Sequence, residues 1–201
     1  MDIYFIRYFS AIFFLSYVAV AFVVPSVRIF ARTGTNPITF GASDNAHDFI
    51  GRFFKIILTL IAIVVVIHWI GGAAYQYLLP APYLKTKYIQ LSGVLVCILS
   101  LAWTVIAQWQ MGNSWRIGID EQNQTNLVTT GLFSISRNPI FFGMQITLAG
   151  FFLLLPNAIM LLVVVCGFML IQIQARLEEE FLLKQHGEIY AMYKTKVNRF
   201  I

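Results

Sequence analysis

A series of apolar stretches limits this chain more than any other feature: Phe9–Val27, Phe54–Ile70, Gln90–Ala107, Phe141–Leu155 and Ile159–Ile173. A helix rises about 1.5 Å per residue, so about 20 apolar residues cross the hydrocarbon of a bilayer. The last two stretches are short and joined only by the turn at Pro156-Asn157, which reads as a tilted, tightly packed hairpin. The expected fold is all-α: a multi-span membrane bundle of about five helices, with a C-terminal hairpin and an amphipathic tail on the cytoplasmic side. Composition agrees, because 59% of the 201 residues are hydrophobic and 11% charged, where soluble domains are about a quarter charged. One membrane domain, 1–201, is expected. Residues 1–107 hold three spans and a polar loop at 31–52; residues 108–201 form the half that carries the chemistry.

The charges set the orientation. With five spans, Arg28, Arg32, Arg52, Lys55, Arg116, Arg137, Arg176, Lys184, Lys194, Lys196 and Arg199 fall on one side of the membrane. Only Arg7, Lys85 and Lys87 fall on the other. The positive-inside rule makes the first side cytoplasmic, with the N-terminus outside and the C-terminus inside. The net charge of +5 then reflects topology and contact with anionic membrane lipids, not nucleic-acid binding. Asp2 and Arg7 nearly cancel, and the first apolar stretch is too long for a cleaved signal, so it is read as a span. Cys97 and Cys166 lie in apolar helices and read as small buried hydrophobes rather than a disulfide or metal ligands.

Polar residues gather in three segments. The first, 31–52, has turn formers and His47, which reads either as a solvated loop histidine or as part of a lid. The second runs from Gln108 to Asn138, and the third from Arg176 to Ile201. Both flank the hairpin, so they must converge at its mouth. Asn138-Pro139 has the form of a helix start, with Asn at the cap and Pro at the first position. Beside it, Arg137 reads as a snorkelling cation or as one half of an anion site with the helix N-terminus. Spacing of four stacks Gln174 on Glu178, and Arg176 on Glu180. The acids 178–180 read as a solvated exit turn or as a holder for a cation. After Gly187, which suits a helix end, Tyr190 and Tyr193 read as headgroup-level residues of an interfacial helix.

Together these residues resemble the isoprenylcysteine carboxyl methyltransferase and phospholipid methyltransferase superfamily. The resemblance rests on Gly131-Leu132-Phe133, Arg137-Asn138-Pro139-Ile140-Phe141-Phe142-Gly143, and, after an apolar hairpin, Glu178-Glu179 with Leu182, Gly187, Tyr190, Tyr193, Val197 and Arg199. Gly112-Asn113-Ser114-Trp115-Arg116 fits bacterial members, so a bacterial inner membrane is the expected location. The resemblance implies S-adenosylmethionine as cofactor and no metal. The implied cofactor contacts are Thr125, Asn126, Leu127, Val128, Phe133, Asn138, Pro139, Ile140, Phe141 and Glu178, with Asp120 as a marginal addition. Arg137 and Glu179 are the expected catalytic pair, and Gln174, Arg176 and Arg199 the expected substrate contacts. Relatives usually carry His at Asn138, Tyr at Phe133 and Phe141, and, in the isoprenylcysteine enzymes, Arg at Gln174.

Methyl transfer is an in-line displacement that needs positioning and exclusion of water rather than a covalent nucleophile. The resemblance favours a lipid-like or prenylated acceptor with a carboxylate. A carboxylate needs a cation, whereas an amine acceptor must first lose a proton. A phospholipid amine is therefore the alternative acceptor. A non-catalytic scaffold and an NADPH-dependent membrane reductase are two further readings of such a frame. Oligomeric state is not legible in the sequence.

Overall fold

The computed structural model describes residues 3–41, 44–120, 123 and 125–201; Asp2 and loop positions 42–43, 121–122 and 124 lie outside the described residues. No strand occurs among the described residues. Lipid offers backbone N–H and C=O groups no partner, so a spanning segment must satisfy them internally as a helix.

Helices α1 (Ile3–Val18) and α2 (Val24–Thr33) form one rod, joined by a π turn at Ala19–Val23. Pro25 explains the turn, since it cannot donate to the Ala21 carbonyl four residues earlier. Gln108 fills the gap from another helix: its Nε2 donates to Ala21 O at 2.7 Å. Helix α3 (Ala46–Ile70) is capped by Asn45, whose side chain accepts from Asp48 N. A short α4 (Ala73–Gln76) leads to α5 (Lys87–Met111), capped by Thr86. The hairpin is α6 (Pro139–Leu154) and α7 (Ala158–His186), the latter capped by Asn157. Gly187, at φ 53°, ends α7 and starts α8 (Glu188–Lys196).

Four helical stretches, 4–33, 46–70, 87–114 and 158–186, are long and apolar enough to cross a membrane, and α6 is a shorter apolar helix. The expected hairpin is present but lopsided. Helix α7 has 29 residues, because nothing breaks it between Ile173 and Gly187, and its last turns carry the acids. The segment expected as a loop at 31–52 is helical at both ends, up to Thr33 and again from Ala46.

Lipid tails are as apolar as leucine, so close packing rather than water exclusion must hold such helices together. Helices α5 and α6 make the tightest pair. Cβ atoms at Gly143 and Gly150 would collide with Thr104 Oγ1 and Cys97 Sγ, and Gly93 meets the backbone of Gly150. Ser100 and Thr147 share a 2.8 Å hydrogen bond in the same seam. At the end where α6 begins, Thr39 N donates to Ile117 O at 3.0 Å and Ile117 N to Pro37 O at 2.8 Å. His47 is not a solvated loop residue there: in the first turn of α3 it accepts from Ile119 N at 2.8 Å and stacks on Phe40.

Candidate active site

The site begins where α6 starts. Gly131–Ser134 form a 3₁₀ turn that turns Phe133 inward, and Tyr193 of α8 donates to the Phe133 carbonyl at 2.5 Å. Next in the chain, Arg137 N donates to Asn198 O at 2.9 Å and Asn138 N to Arg199 O at 3.2 Å. The tail thus runs beside Ser136–Asn138 as a short parallel rung and closes the end of the bundle.

Glu179 is the hub of this closure. Its carboxylate, 3% exposed, accepts from Arg137 Nε and Nη2 at 3.1–3.2 Å. It also accepts from Arg199 Nε at 3.0 Å and Nη2 at 2.9 Å, and from Asn138 Nδ2 at 3.0 Å. The remaining Arg137 nitrogen donates to the Lys194 and Val197 carbonyls. Two fork-shaped guanidinium pairs on one carboxylate make a rigid, fully bonded charge cluster. Asn138 starts α6 as expected, yet its side chain does not cap the helix, because Glu179 holds the amide. The first turn of α6 therefore has no side-chain cap and keeps the positive end of its dipole open.

Against this closure lies a cavity of about 400 Å³, within the roughly 300–1,000 Å³ typical of small-molecule sites. Of the expected cofactor residues, Thr125, Asn126, Leu127, Val128, Phe133, Asn138, Pro139, Ile140, Phe141 and Glu178 all line it, together with Arg137 and Gln174. Arg199 and Glu179 stand behind that wall. Arg176 lies elsewhere: it is exposed and donates to Gln172. Asp120 is bound by Arg116 Nε at 3.1 Å and does not line the cavity.

Gln174 and Glu178 are neighbours as their spacing predicts, with Gln174 Nε2 donating to Glu178 Oε1 at 2.9 Å. Gln174 is 1% exposed, and its Oε1 has no hydrogen-bond partner. A buried polar atom without a partner is costly, roughly 1–3 kcal/mol, and this one belongs to a side chain in the cavity wall. Glu178 is the only carboxylate in that wall among the described residues. Of the cations there, Arg137 is bonded to Glu179 and Arg116 to Asp120, which leaves Lys55 without a carboxylate among the described residues.

Several residues here escaped the sequence reading. Tyr190 and Tyr193, which belong to the resemblance, are both buried in the cavity wall, a contact their spacing did not show. Burial pushes the Tyr193 hydroxyl up to about 12, so it stays a neutral donor. Phe14, Tyr17 and Phe22 from the N-terminal rod and Phe54, Ile57 and Ile61 from α3 line an apolar arm of the same cavity. The signal available for Gln108 was an amide at the edge of an apolar run, where a polar side chain calls for an explanation.

Comparison with known proteins supports the same reading. The profile of the phospholipid methyltransferase family matches residues 88–189, from the start of α5 into α8. No curated protein sequence matches the chain. Its fold is similar to that of a eukaryotic intramembrane Ras methyltransferase, isoprenylcysteine carboxyl methyltransferase, with a TM-score of 0.53 and 20% identity. That likeness covers 94% of this chain and 72% of the other. With half of its length matched by one profile and its helices arranged as in a membrane methyltransferase, the chain belongs to the phospholipid methyltransferase family.

Proposed function

We propose that the chain transfers a methyl group from S-adenosylmethionine to an amine-bearing lipid that reaches the cavity sideways from the bilayer. The observation that carries this reading is the buried, unpartnered Gln174 Oε1 beside Glu178 in the cavity wall. Two oxygen acceptors at one place call for a ligand with N–H donors and positive charge.

The wall residues fit S-adenosylmethionine. Gln174 Oε1 suits its ammonium, the uncapped start of α6 suits its carboxylate, and Leu127, Val128, Phe133 and Phe141 suit the flat adenine. When bound, the cofactor supplies an electrophilic methyl group on a sulfonium. The chain's own part is to exclude water, through the tail rung and the Tyr190–Tyr193 wall, and to hold the reacting groups in line. Glu178 balances positive charge and is the group placed to take the proton that an amine must lose.

The choice of amine over carboxylate follows from the cations. A carboxylate acceptor needs a free cation, and Arg137, Arg199 and Arg116 are already paired. Lys55, at the cavity edge, suits the phosphate of a phospholipid headgroup instead. The apolar arm between the N-terminal rod and α3 suits its chains. With eleven of fourteen cations at the end of the bundle holding the site, this reading places the site in the cytoplasm and the N-terminus outside.

The test uses the full chain in vesicles with tritiated S-adenosylmethionine. Label is expected to enter the amine headgroup of phosphatidylethanolamine. Transfer instead to a farnesylated cysteine carboxylate would overturn the amine assignment. No calorimetric affinity for S-adenosylmethionine or its demethylated product would overturn the enzyme reading in favour of a scaffold. Hydride transfer from NADPH would favour a reductase.

A further inference from the structure

The opposite end of the bundle carries a second polar feature. By sequence only three cations, Arg7, Lys85 and Lys87, belong to that side, and the fold draws two of them to one spot. Lys85 Nζ sits over the Tyr75 ring, 4.3 Å from its centre. The His68 ring meets the same tyrosine edge-on at 5.0 Å. One turn beyond His68, the Arg7 guanidinium fills the space over Gly71, where any Cβ would collide with it. Both Arg7 and Lys85 lie within electrostatic reach of His68.

These groups have donors to spare. His68 is 8% exposed and its buried Nδ1 has no partner. Arg7 Nε is likewise buried without a partner, and Arg7 forms no ion pair among the described residues. From residue 49 to residue 119, a segment that includes the whole α3–α5 connection, there is no Asp or Glu. Around the cluster stands a ring of aromatic residues suited to headgroup depth, with Tyr8 edge-on to Trp69 at 4.8 Å and Tyr77, Tyr83 and Tyr88 exposed. Two cations and a buried ring nitrogen able to carry an N–H, with no carboxylate paired to them among the described residues, suit a phosphate oxygen.

We propose that Arg7, His68 and Lys85 bind the phosphate of an anionic phospholipid headgroup in the leaflet opposite the active site. The lipid would tie the start of the N-terminal rod to the α3–α5 connection, where no carboxylate does so among the described residues. A cation near a membrane surface strengthens binding of an anionic lipid about fivefold, so losing both should weaken retention about 25-fold.

Native mass spectrometry of the full chain, released from phosphatidylcholine nanodiscs containing some phosphatidylglycerol, reads this directly. The wild type should retain phosphatidylglycerol over phosphatidylcholine. Lys85→Gln, an exposed position that should not disturb folding, should lose about fivefold of that preference. Arg7→Gln with Lys85→Gln should lose nearly all of it. Arg32→Gln, an exposed cation at the far end of the rod, should change nothing. Equal retention of the two lipids by the wild type, or full preference in the double variant, would overturn the proposal. So would inorganic phosphate competing as well as the lipid does, since the site would then serve a soluble anion. Restored preference in Arg7→Lys would support it.

Discussion

Gln174 gives its amide nitrogen to Glu178 at 2.9 Å and keeps its carbonyl oxygen, buried and unpaired, in the cavity wall. One helical turn thus sets two oxygen acceptors side by side on α7 at the depth where the chain stops being apolar.

Replacing Gln174 with Met keeps its volume and removes the acceptor. A hydrogen bond to a charged group contributes about 1.5–3 kcal/mol, so affinity for S-adenosylmethionine should fall about 10- to 100-fold. The same change removes the 2.9 Å donation from Gln174 Nε2 to Glu178, so thermal stability should fall by about 1–3 kcal/mol. Calorimetric titration alongside a melting curve checks both; unchanged affinity would remove Gln174 from the site.

The two adjacent acids should behave differently. Glu178→Gln should abolish cofactor binding in a protein that remains folded. Glu179→Gln should destabilise by about 3–5 kcal/mol, because it strips a buried carboxylate from two guanidinium groups. The contrast is visible by size-exclusion and melting in detergent. A stable Glu179→Gln protein would show that the cluster does not hold the tail.

Much of this architecture could be read from the chain before folding. The helix ends are marked by local chemistry: Asn45, Thr86 and Asn157 as caps and Gly187 as the break after α7. The cavity wall followed from resemblance, and the residues in question do meet there. What stayed hidden joins distant elements. Arg137 and Glu179 are 42 positions apart, and Gln108 and Ala21 are 87 apart. No periodicity relates such positions, so a sequence cannot tell whether Arg137 is free for a ligand or already taken. Likewise Tyr190 and Tyr193 have the spacing of an interfacial helix, and only the folded tail shows that their rings face inward.

Tyr193 gives a pH test. Its hydroxyl ionises near 10 in an unfolded chain and near 12 when folded, raised chiefly by burial. Stability from this group is thus fully present below about pH 10 and is lost as pH climbs towards 12. Tyr193→Phe should lose about 1 kcal/mol at neutral pH, for the bond to Phe133, and should flatten that alkaline limb. Chemical denaturation at pH 8 and pH 11 separates the two effects.

The α5–α6 seam should resist even a methyl group. Gly143→Ala drives a Cβ into Thr104 Oγ1 and should cost about 1–3 kcal/mol through overpacking. Gly72→Ala, at φ 64° with open space around it, should cost only its backbone strain, about 1–2 kcal/mol. Helicity measured during heating ranks the two, and an undisturbed Gly143→Ala protein would refute the close approach.

Helix α6 has 16 residues, about 24 Å of rise against a hydrocarbon layer of about 30 Å. The bilayer beside it has to thin, or the start of the helix has to sink beneath the surface of its leaflet. In either case the cavity beside that start is expected level with the headgroups rather than out in the water. Under the proposed function, a phospholipid meeting it there would keep its tails in oil throughout, and the donor, not the lipid, would make the journey.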